Sequence, residues 1–188
     1  MINKRRKSHG RKINIRKRKY ILQSVAISLA ALIIIIFSQN PANALEQLLF
    51  SHQEIEVIDG DTFMIGETIY QLAGIDAPEI GQICIHNGNP WDCGESAYER
   101  FKKLAGMQSK PIACFPKMTE EKIREVSCFI GDKEISDILL KGGSVVAKPD
   151  AEHHYLAIEH QAKQGHLGIW GSRMIMPWLW RKGERILQ

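Results

Sequence analysis

The sequence predicts an α+β domain built on a five-stranded Greek-key β-barrel of the OB type, with about three helices. Two observations lead to this prediction. Short segments rich in β-branched and aromatic residues, bounded by turn-type residues, occur between residues 54 and 130. Amphipathic helical patterns lie between these segments and after them. Many short strands with inserted and appended helices favour a small barrel.

The predicted elements follow one another in a simple order. Residues 54–72 form a meander of three strands, which turns at Asp59-Gly60-Asp61 and at Gly66-Glu67. An exposed loop is expected at residues 87–90 (Asn-Gly-Asn-Pro). The elements predicted after this loop are a helix at residues 95–105, strands at 112–115 and 125–130, and helices at 135–140 and 152–164.

Residues 1–44 have the layout of an export signal. Ten of the 25 Lys and Arg residues lie between Lys4 and Lys19, and residues 21–37 are mostly apolar. The Ala-Asn-Ala segment that ends at Ala44 suits a signal-peptide cleavage site, and an uncleaved membrane anchor is the alternative. A nucleic-acid-binding arm would leave the apolar run unexplained. Both leading alternatives place the domain, residues 45–188, outside the cytoplasm: periplasmic, extracellular or anchored to the membrane.

The charge of the predicted domain differs from that of the whole chain. The full sequence carries a net charge of +4, but no acid precedes Glu46. Residues 45–188 therefore hold 15 basic and 21 acidic residues, a formal charge of −6. The basic composition of the chain does not predict nucleic-acid binding by the domain.

All four cysteines lie in the predicted domain. An even number of cysteines in an exported chain favours disulfides. Of the three possible connectivities, the pairing of Cys84 with Cys93 and of Cys114 with Cys128 closes short loops and is favoured. A structural zinc site is the less favoured alternative, because the spacings lack the close Cys-x-x-Cys pair of such sites.

Two acidic motifs are the strongest chemical signal in the sequence. Asp59 and Asp61 flank a glycine at a strand turn, and Asp76 and Glu79 flank an Ala-Pro pair after the third strand. If the meander pairs as predicted, both motifs lie at strand ends that can converge. Converging carboxylates repel one another unless a cation lies between them, and their hard oxygen atoms suit Ca²⁺. The plain alternative is a solvated Asp-Gly-Asp turn with Asp76 as a loop cap.

These motifs resemble the staphylococcal nuclease (thermonuclease) family. The similar segments are residues 57–62 (Val-Ile-Asp-Gly-Asp-Thr) and 72–79 (Leu-Ala-Gly-Ile-Asp-Ala-Pro-Glu). The resemblance extends from residue 54 to residue 181 and implies an OB barrel with helices, in agreement with the strand pattern. Similarity to the exported, cysteine-bearing bacterial branch of the family is found at residues 82–84, 91–94, 168–170 and 176–181.

The resemblance also implies roles for individual residues. Asp61 and Asp76 would hold a Ca²⁺ ion that binds the scissile phosphate, and the backbone carbonyl of Ala77 would add a ligand. Glu79 would orient or deprotonate the attacking water. Asp59 would be a supporting acid outside the ligand set.

Two arginines of the family normally neutralise charge on the phosphate, and this chain departs from that pattern. One of them matches Arg124, although residues 120–123 read Glu-Glu-Lys-Ile instead of the usual Asp-x-Tyr-Gly. The other is replaced by Gln71, which can donate a hydrogen bond but carries no charge. Because loss of one positioned donor typically costs about 10² to 10³ in rate, the resemblance implies a weakened catalyst.

Base stacking is a second departure. The family often carries tyrosines that stack on the nucleotide base; this chain has Lys148 and Ala151 at two such positions, and Tyr155 stays in register with a tyrosine. Stacking contributes about 1 to 3 kcal/mol per base in single-strand binders.

No carboxylate pattern that would mark a metal site accompanies the histidines in and after the last helix, His153, His154, His160 and His166.

Two functions are therefore expected from the sequence. The first is an exported Ca²⁺-dependent, nuclease-like phosphodiesterase that hydrolyses DNA or RNA with weakened activity. The second is a catalytically impaired domain of the nuclease fold with a binding or accessory role in the cell envelope, for example in exopolysaccharide production. The expected partners are a nucleic-acid substrate and, if the signal is uncleaved, the membrane. The domain is expected to be a monomer.

Overall fold

The computed structural model describes residues 47–106, 111–117 and 124–186. The predicted signal or anchor at residues 1–44 lies outside these ranges. No helix within the described part of the chain is long and apolar enough to cross a membrane.

The described residues form a mixed α+β domain, which confirms the predicted class. The strands are β1 (Leu48–Phe50), β2 (Glu56–Val57), β3 (Thr62–Ile65), β4 (Thr68–Leu72), β5 (Ile75–Asp76), β6 (Ile83–His86), β7 (Asn89–Asp92), β8 (Ile112–Pro116), β9 (Arg124–Ile130), β10 (Lys133–Glu134) and β11 (Val146–Ala147). The α-helices are α1 (Cys93–Gly106), α2 (Ile135–Lys141), α3 (His153–Gln164) and α4 (Pro177–Trp180), with a 3₁₀ helix at Gly168–Gly171.

One sheet dominates the domain and curls into a half barrel. Its strands are ordered β1-β8-β9-β4-β3-β2, and β10 pairs with β9. Neighbouring strands are antiparallel except β4 and β9, which are parallel. The predicted meander of residues 54–72 is observed as β2, β3 and β4. Two short pairs, β5 with β11 and β6 with β7, lie outside this sheet.

An aromatic cluster lies at the centre of the core. The ring of Phe63 stacks on Tyr70, with centroids 5.4 Å apart, and meets Phe50 and Phe101 edge-on at 6.2 and 5.9 Å. Phe101 lies on the buried face of α1, so this helix closes the core against the meander. Aromatic pairs in these offset and edge-on geometries add about 0.5 to 1.5 kcal/mol beyond area burial.

The segment between Cys84 and Cys93 differs from the sequence prediction. It is a hairpin, β6–β7, and not only an exposed loop. Asn87 and Gly88 both have positive φ, 49° and 81°, which is the backbone pattern of a two-residue hairpin turn. The alternation signal was missing because β7 contains a proline and is largely exposed.

The predicted disulfide pairing is confirmed. Cys84 is joined to Cys93, and Cys114 to Cys128 across the paired strands β8 and β9. The first bridge lies in a second apolar cluster with Val146 and Ile169. Partly buried residues packed on this cluster are Trp91, Trp170, Met174, Met176 and Trp178.

Candidate functional site

The first acidic motif forms a tight turn between β2 and β3. Asp59 Oδ1 accepts hydrogen bonds from the backbone N–H groups of Asp61 and Thr62, at 3.0 and 2.7 Å. Asp and Asn favour such turns because their side chains reach their own backbone. A Cβ atom at Gly60 would lie 2.7 Å from the Cβ of Ala77, so the glycine allows the turn to pack directly on the second acidic motif.

Asp61 joins the two motifs. It is 3% exposed. Its Oδ2 accepts the backbone N–H of Ala77 at 3.1 Å and Nε2 of Gln71 at 3.4 Å, and its Oδ1 accepts the Thr62 hydroxyl at 2.8 Å. Burial raises the pKa of Asp61 well above its usual value, and the negative charges of Asp59 and Asp76 raise it further. Asp61 is therefore a buried carboxyl group whose surroundings disfavour its charged form.

The second motif is neutralised by an arginine that the sequence prediction did not assign to the site. Arg181, just after α4, donates Nη1 to Asp76 Oδ1 at 2.9 Å and Nη2 to Asp76 Oδ2 at 2.8 Å. Nη1 also donates to Glu79 Oε1. The sequence signal was the Met-Pro-Trp-Leu-Trp-Arg segment at residues 176–181, which entered the prediction only as a resemblance.

Two neighbours fix the backbone of Glu79. The Glu79 N–H donates to the side-chain carbonyl of Gln82 at 3.1 Å, and Gln82, fully buried, donates Nε2 to the carbonyl of Ile175 at 2.7 Å. Gly94, in the first turn of α1, lies directly against the Glu79 carbonyl. The loop that carries Glu79 is thus held between α1 and the segment before α4.

A cationic side chain lies beside Gln71. Lys148 Nζ lies 3.4 Å from Gln71 Oε1 and 2.8 Å from Glu125 Oε1. Glu125 is the register partner of Gln71 across the parallel β4–β9 pair, so both side chains are on the same face of the sheet. Lys148, predicted from the sequence only as a lost stacking position, thus lies beside Gln71 with its charge paired to Glu125.

Arg124 lies one residue before Glu125 and pairs with Tyr70. Because successive strand residues point to opposite faces, Arg124 is not on the face that carries Gln71 and Glu125. Its side chain is exposed and makes no hydrogen bond or ion pair with another residue of the described ranges. The structure thus brings together Asp59, Asp61, Gln71, Asp76, Ala77 and Glu79, and leaves Arg124 apart from them.

Tyr155 does not offer a stacking surface. It is 2% exposed, and its hydroxyl donates to Glu134 Oε1 at 2.8 Å. Its ring lies directly against Gly74, where an added Cβ atom would overlap Tyr155 Cε2. Tyr155 is a packing residue that holds the turn before β5.

The fold also assembles a group of possible metal ligands that the sequence did not indicate. Nε2 of His154 lies 3.9 Å from Glu134 Oε2 and 3.8 Å from Asp137 Oδ1. The sequence pattern missed this group because the acids lie at the start of α2 and the histidine at the start of α3.

The main acidic site offers oxygen atoms that could bind a metal ion. The carboxylates of Asp61, Asp76 and Glu79 and the carbonyl of Ala77 are hard oxygen donors, which Ca²⁺ prefers. A divalent cation beside Asp61 would offset the burial and the nearby like charges that raise the pKa of this carboxyl group. The residues present therefore fit the ion that the resemblance implies.

Comparison with known proteins gives a distant similarity. No protein-family model matches the chain. The chain is 30% identical over 124 residues to the succinoglycan biosynthesis protein ExoI of Rhizobium meliloti (strain 1021). The aligned segment covers 64% of this chain and spans 64% of the length of that relative.

Proposed function

We propose that the chain is a Ca²⁺-dependent, nuclease-like phosphodiesterase of weakened activity that hydrolyses DNA or RNA. The observation that carries this proposal is the hydrogen bond between Asp61 and the backbone N–H of Ala77, which joins the two acidic motifs into one site. A turn that was merely solvated would not bury Asp61 against the second motif.

Each side chain has a role that its contacts support. Asp61, Asp76 and the Ala77 carbonyl would hold the cation, and the chemistry it would supply there is Lewis-acid stabilisation of charge on the phosphate and acidification of water. Glu79 Oε2 makes no hydrogen bond with another described residue, and the side chain is 30% exposed, so it can accept a proton from water. Asp59 holds the turn that presents Asp61.

Gln71 and Lys148 form the phosphate-facing pair. An ammonium group has three donors, and Lys148 uses two of them on Gln71 and Glu125, so one remains for a phosphate oxygen. Glu125 offsets part of the lysine charge, which supports weakened rather than full activity. Arg124 lies on the opposite face of β9 from Gln71, so it is a candidate for a second phosphate contact only if its exposed side chain, at the first residue of β9, reaches around the strand end.

We infer that the barrel is of the OB type. The antiparallel meander β2–β3–β4 continues through the parallel pair β4–β9 to β8. Residues 48–57 supply the strands at both edges of this sheet, because β1 pairs with β8 at one edge and β2 pairs with β3 at the other. One continuous segment on both edge strands is what closure of a small barrel requires.

A second candidate is an accessory role in cell-surface polysaccharide production with little or no cleavage. The name of the similar Rhizobium protein, a succinoglycan biosynthesis protein, favours it. The neutral Gln71 in place of a charged donor favours it as well.

The setting of either function is the same. Two disulfides are consistent with an oxidising compartment outside the cytoplasm. We propose that residues 1–44 export the domain or anchor it to the membrane, and that the domain acts as a monomer.

Cleavage assays on the full-length chain test the proposal. Single-stranded DNA and RNA are incubated in Ca²⁺ and in chelator with the parent, with Asp61→Ala and with Gln71→Arg. We expect Ca²⁺-dependent cleavage that Asp61→Ala abolishes and that Gln71→Arg increases by about 10² to 10³. The exposed Asp132, in the turn between β9 and β10, gives the matched control Asp132→Ala, which should cleave like the parent.

Two outcomes separate the candidates. Cleavage only in Gln71→Arg identifies an intact scaffold whose natural role is accessory. Absence of cleavage in the parent and in Gln71→Arg, with both folded, rejects the phosphodiesterase.

A further inference from the structure

We propose that Arg181 and a divalent cation are alternative occupants of the Asp76–Glu79 pair, so that the segment after Ile175 plugs the metal site. The inference rests on the metal-binding part of the proposed function. It concerns what competes with the cation rather than what the site cleaves.

The geometry of the arginine supports competition. Its guanidinium reaches both oxygens of Asp76 and one oxygen of Glu79. Asp76 is 4% exposed, so these oxygens have little access to other partners. A guanidinium in this fork supplies the positive charge that the acidic pair would otherwise take from a metal ion.

Charge makes the two occupants exclusive. A cation bound between Asp61 and Asp76 would place two positive charges next to a guanidinium that already contacts Asp76. The cation and the guanidinium would then both lie next to Asp76. They would repel each other strongly, because a partly buried site screens charges less than water does. Binding of the cation therefore favours withdrawal of Arg181.

The segment is attached in a way that permits withdrawal. From Met176 onward, Arg181 makes the hydrogen bonds between this segment and the rest of the described domain. The other described hydrogen bonds there are local, such as Leu179 N–H to the Met176 carbonyl and Arg185 to the Trp180 carbonyl. Upstream, the bond of Gln82 to the Ile175 carbonyl holds the point at which the segment would hinge.

The apolar attachment is confined to the start of the segment. Pro177 is buried there, and Met176 and Trp178 pack on the cluster around the Cys84–Cys93 disulfide and are only partly buried. Loss of the Arg181 contacts would thus leave one apolar contact region to hold the segment. By linkage, a cation that displaces Arg181 must loosen the segment, and removal of Arg181 must tighten cation binding by the same free energy.

Calorimetric titration of the full-length chain with Ca²⁺ tests the plug. The proteins are the parent, Arg181→Gln and the control Arg185→Gln, whose guanidinium stacks on Trp180 and does not contact the acids. We expect Arg181→Gln to bind Ca²⁺ about 5- to 150-fold more tightly than the parent, the range of typical coupling between sites. Arg185→Gln should bind like the parent.

Trypsin gives a second readout on the parent itself. Lys182 lies next to Arg181, so Ca²⁺ should accelerate cleavage after Lys182 relative to chelator if the segment is released. Equal or weaker Ca²⁺ binding by folded Arg181→Gln overturns the plug, and so does a cleavage rate at Lys182 that Ca²⁺ leaves unchanged.

The nuclease assay is run beside these measurements on the same proteins. Tighter Ca²⁺ binding in Arg181→Gln without nucleic-acid cleavage by any variant rejects the phosphodiesterase and retains the plug. Ca²⁺-dependent cleavage with unaltered Ca²⁺ affinity in Arg181→Gln rejects the plug and retains the phosphodiesterase.

Discussion

Gly94, in helix α1, packs directly against the backbone of Glu79, in the acidic loop. A Cβ atom added at Gly94 would overlap the carbonyl oxygen of Glu79. Gly94 is in the first turn of α1, and its N–H donates to the Gln82 carbonyl at 3.3 Å. The position of the proposed water-activating carboxylate therefore depends on a residue without a side chain on a neighbouring element.

Substitution Gly94→Ala should displace the Glu79 loop. The added methyl group cannot fit against backbone atoms, so we expect a loss of about 1 to 3 kcal/mol in the free energy of unfolding. Denaturant unfolding measures this loss. Gly106, at the other end of α1, has open space where a methyl group would be added and gives the control Gly106→Ala, which should not destabilise the protein. Equal stability of the two variants would contradict the tight contact.

Asp61 should make the stability of the metal-free protein fall as the pH rises. Its folded pKa lies above the ordinary value of 3.8, so between these two values the folded state binds more protons than the unfolded state. The free energy of unfolding therefore declines as the pH rises above about 4, by at most about 1.4 kcal/mol per pH unit, until Asp61 is ionised. Denaturant unfolding in chelator across this range measures the slope.

The matched variants are Asp61→Asn and Asp132→Asn. Asp61→Asn removes the titrating group and should flatten the decline, whereas the exposed Asp132→Asn should keep it. Addition of Ca²⁺ should restore stability to the parent at neutral pH but not to Asp61→Asn. An unchanged slope in Asp61→Asn would show that other groups cause the decline.

The acidic half of the site was predictable from the sequence because its residues are local. Asp61 lies just before β3, and Asp76 lies in β5, which follows β4 after a two-residue turn, so the local turn signals also placed the acids. Arg181 is different, because 105 residues separate it from Asp76 and no periodicity connects them. The pairing depends on how the segment before α4 packs on Gln82, which is a property of the tertiary fold.

Lys148 shows the same limit on the phosphate side. Lys148 follows β11, which is not a strand of the main sheet. It reaches Gln71 only because the tertiary fold brings the end of β11 close to the β4–β9 pair, whose register sets Gln71 beside Glu125. The hairpin β6–β7 was missed for a local reason, since an exposed strand that contains proline shows no apolar alternation. The hydrophobic pattern of the sequence thus predicted the core strands and helices. It did not predict polar contacts between residues that are distant in the chain.

Substitution Lys148→Met should weaken binding of single-stranded DNA by removing one phosphate contact. We expect the slope of log affinity against log salt concentration to fall in magnitude by about 0.7, the value for one contact to a single strand. Fluorescence anisotropy in chelator at several salt concentrations measures this slope without cleavage. Lys133, exposed on β10, gives the control Lys133→Met, which should leave the slope unchanged. Equal slopes in the parent and Lys148→Met would remove Lys148 from the substrate site.

Removal of either disulfide should lower the stability of the protein, but removal of only one of them should disturb the acidic site. Replacing either pair by serines, Cys84 with Cys93 or Cys114 with Cys128, should cost about 3 kcal/mol in the free energy of unfolding, since each bridge closes a short loop. The consequences for the site should differ. Cys93 is adjacent to Gly94 and its N–H donates to the Gln82 carbonyl at 3.0 Å, so loss of the first bridge loosens the elements that hold Glu79.

Calcium affinity is the measurement that distinguishes the two disulfide variants. The Cys114–Cys128 bridge joins β8 to β9 at a position where the strands are already paired, and the hydrogen bonds described for Asp61, Asp76 and Glu79 involve neither cysteine. We therefore expect weaker Ca²⁺ binding only in the variant that lacks the Cys84–Cys93 bridge, measured by calorimetry where both variants are folded. Equal affinities would mean that the Gln82 and Gly94 contacts position Glu79 without help from the disulfide, because these contacts are the other constraints on the loop.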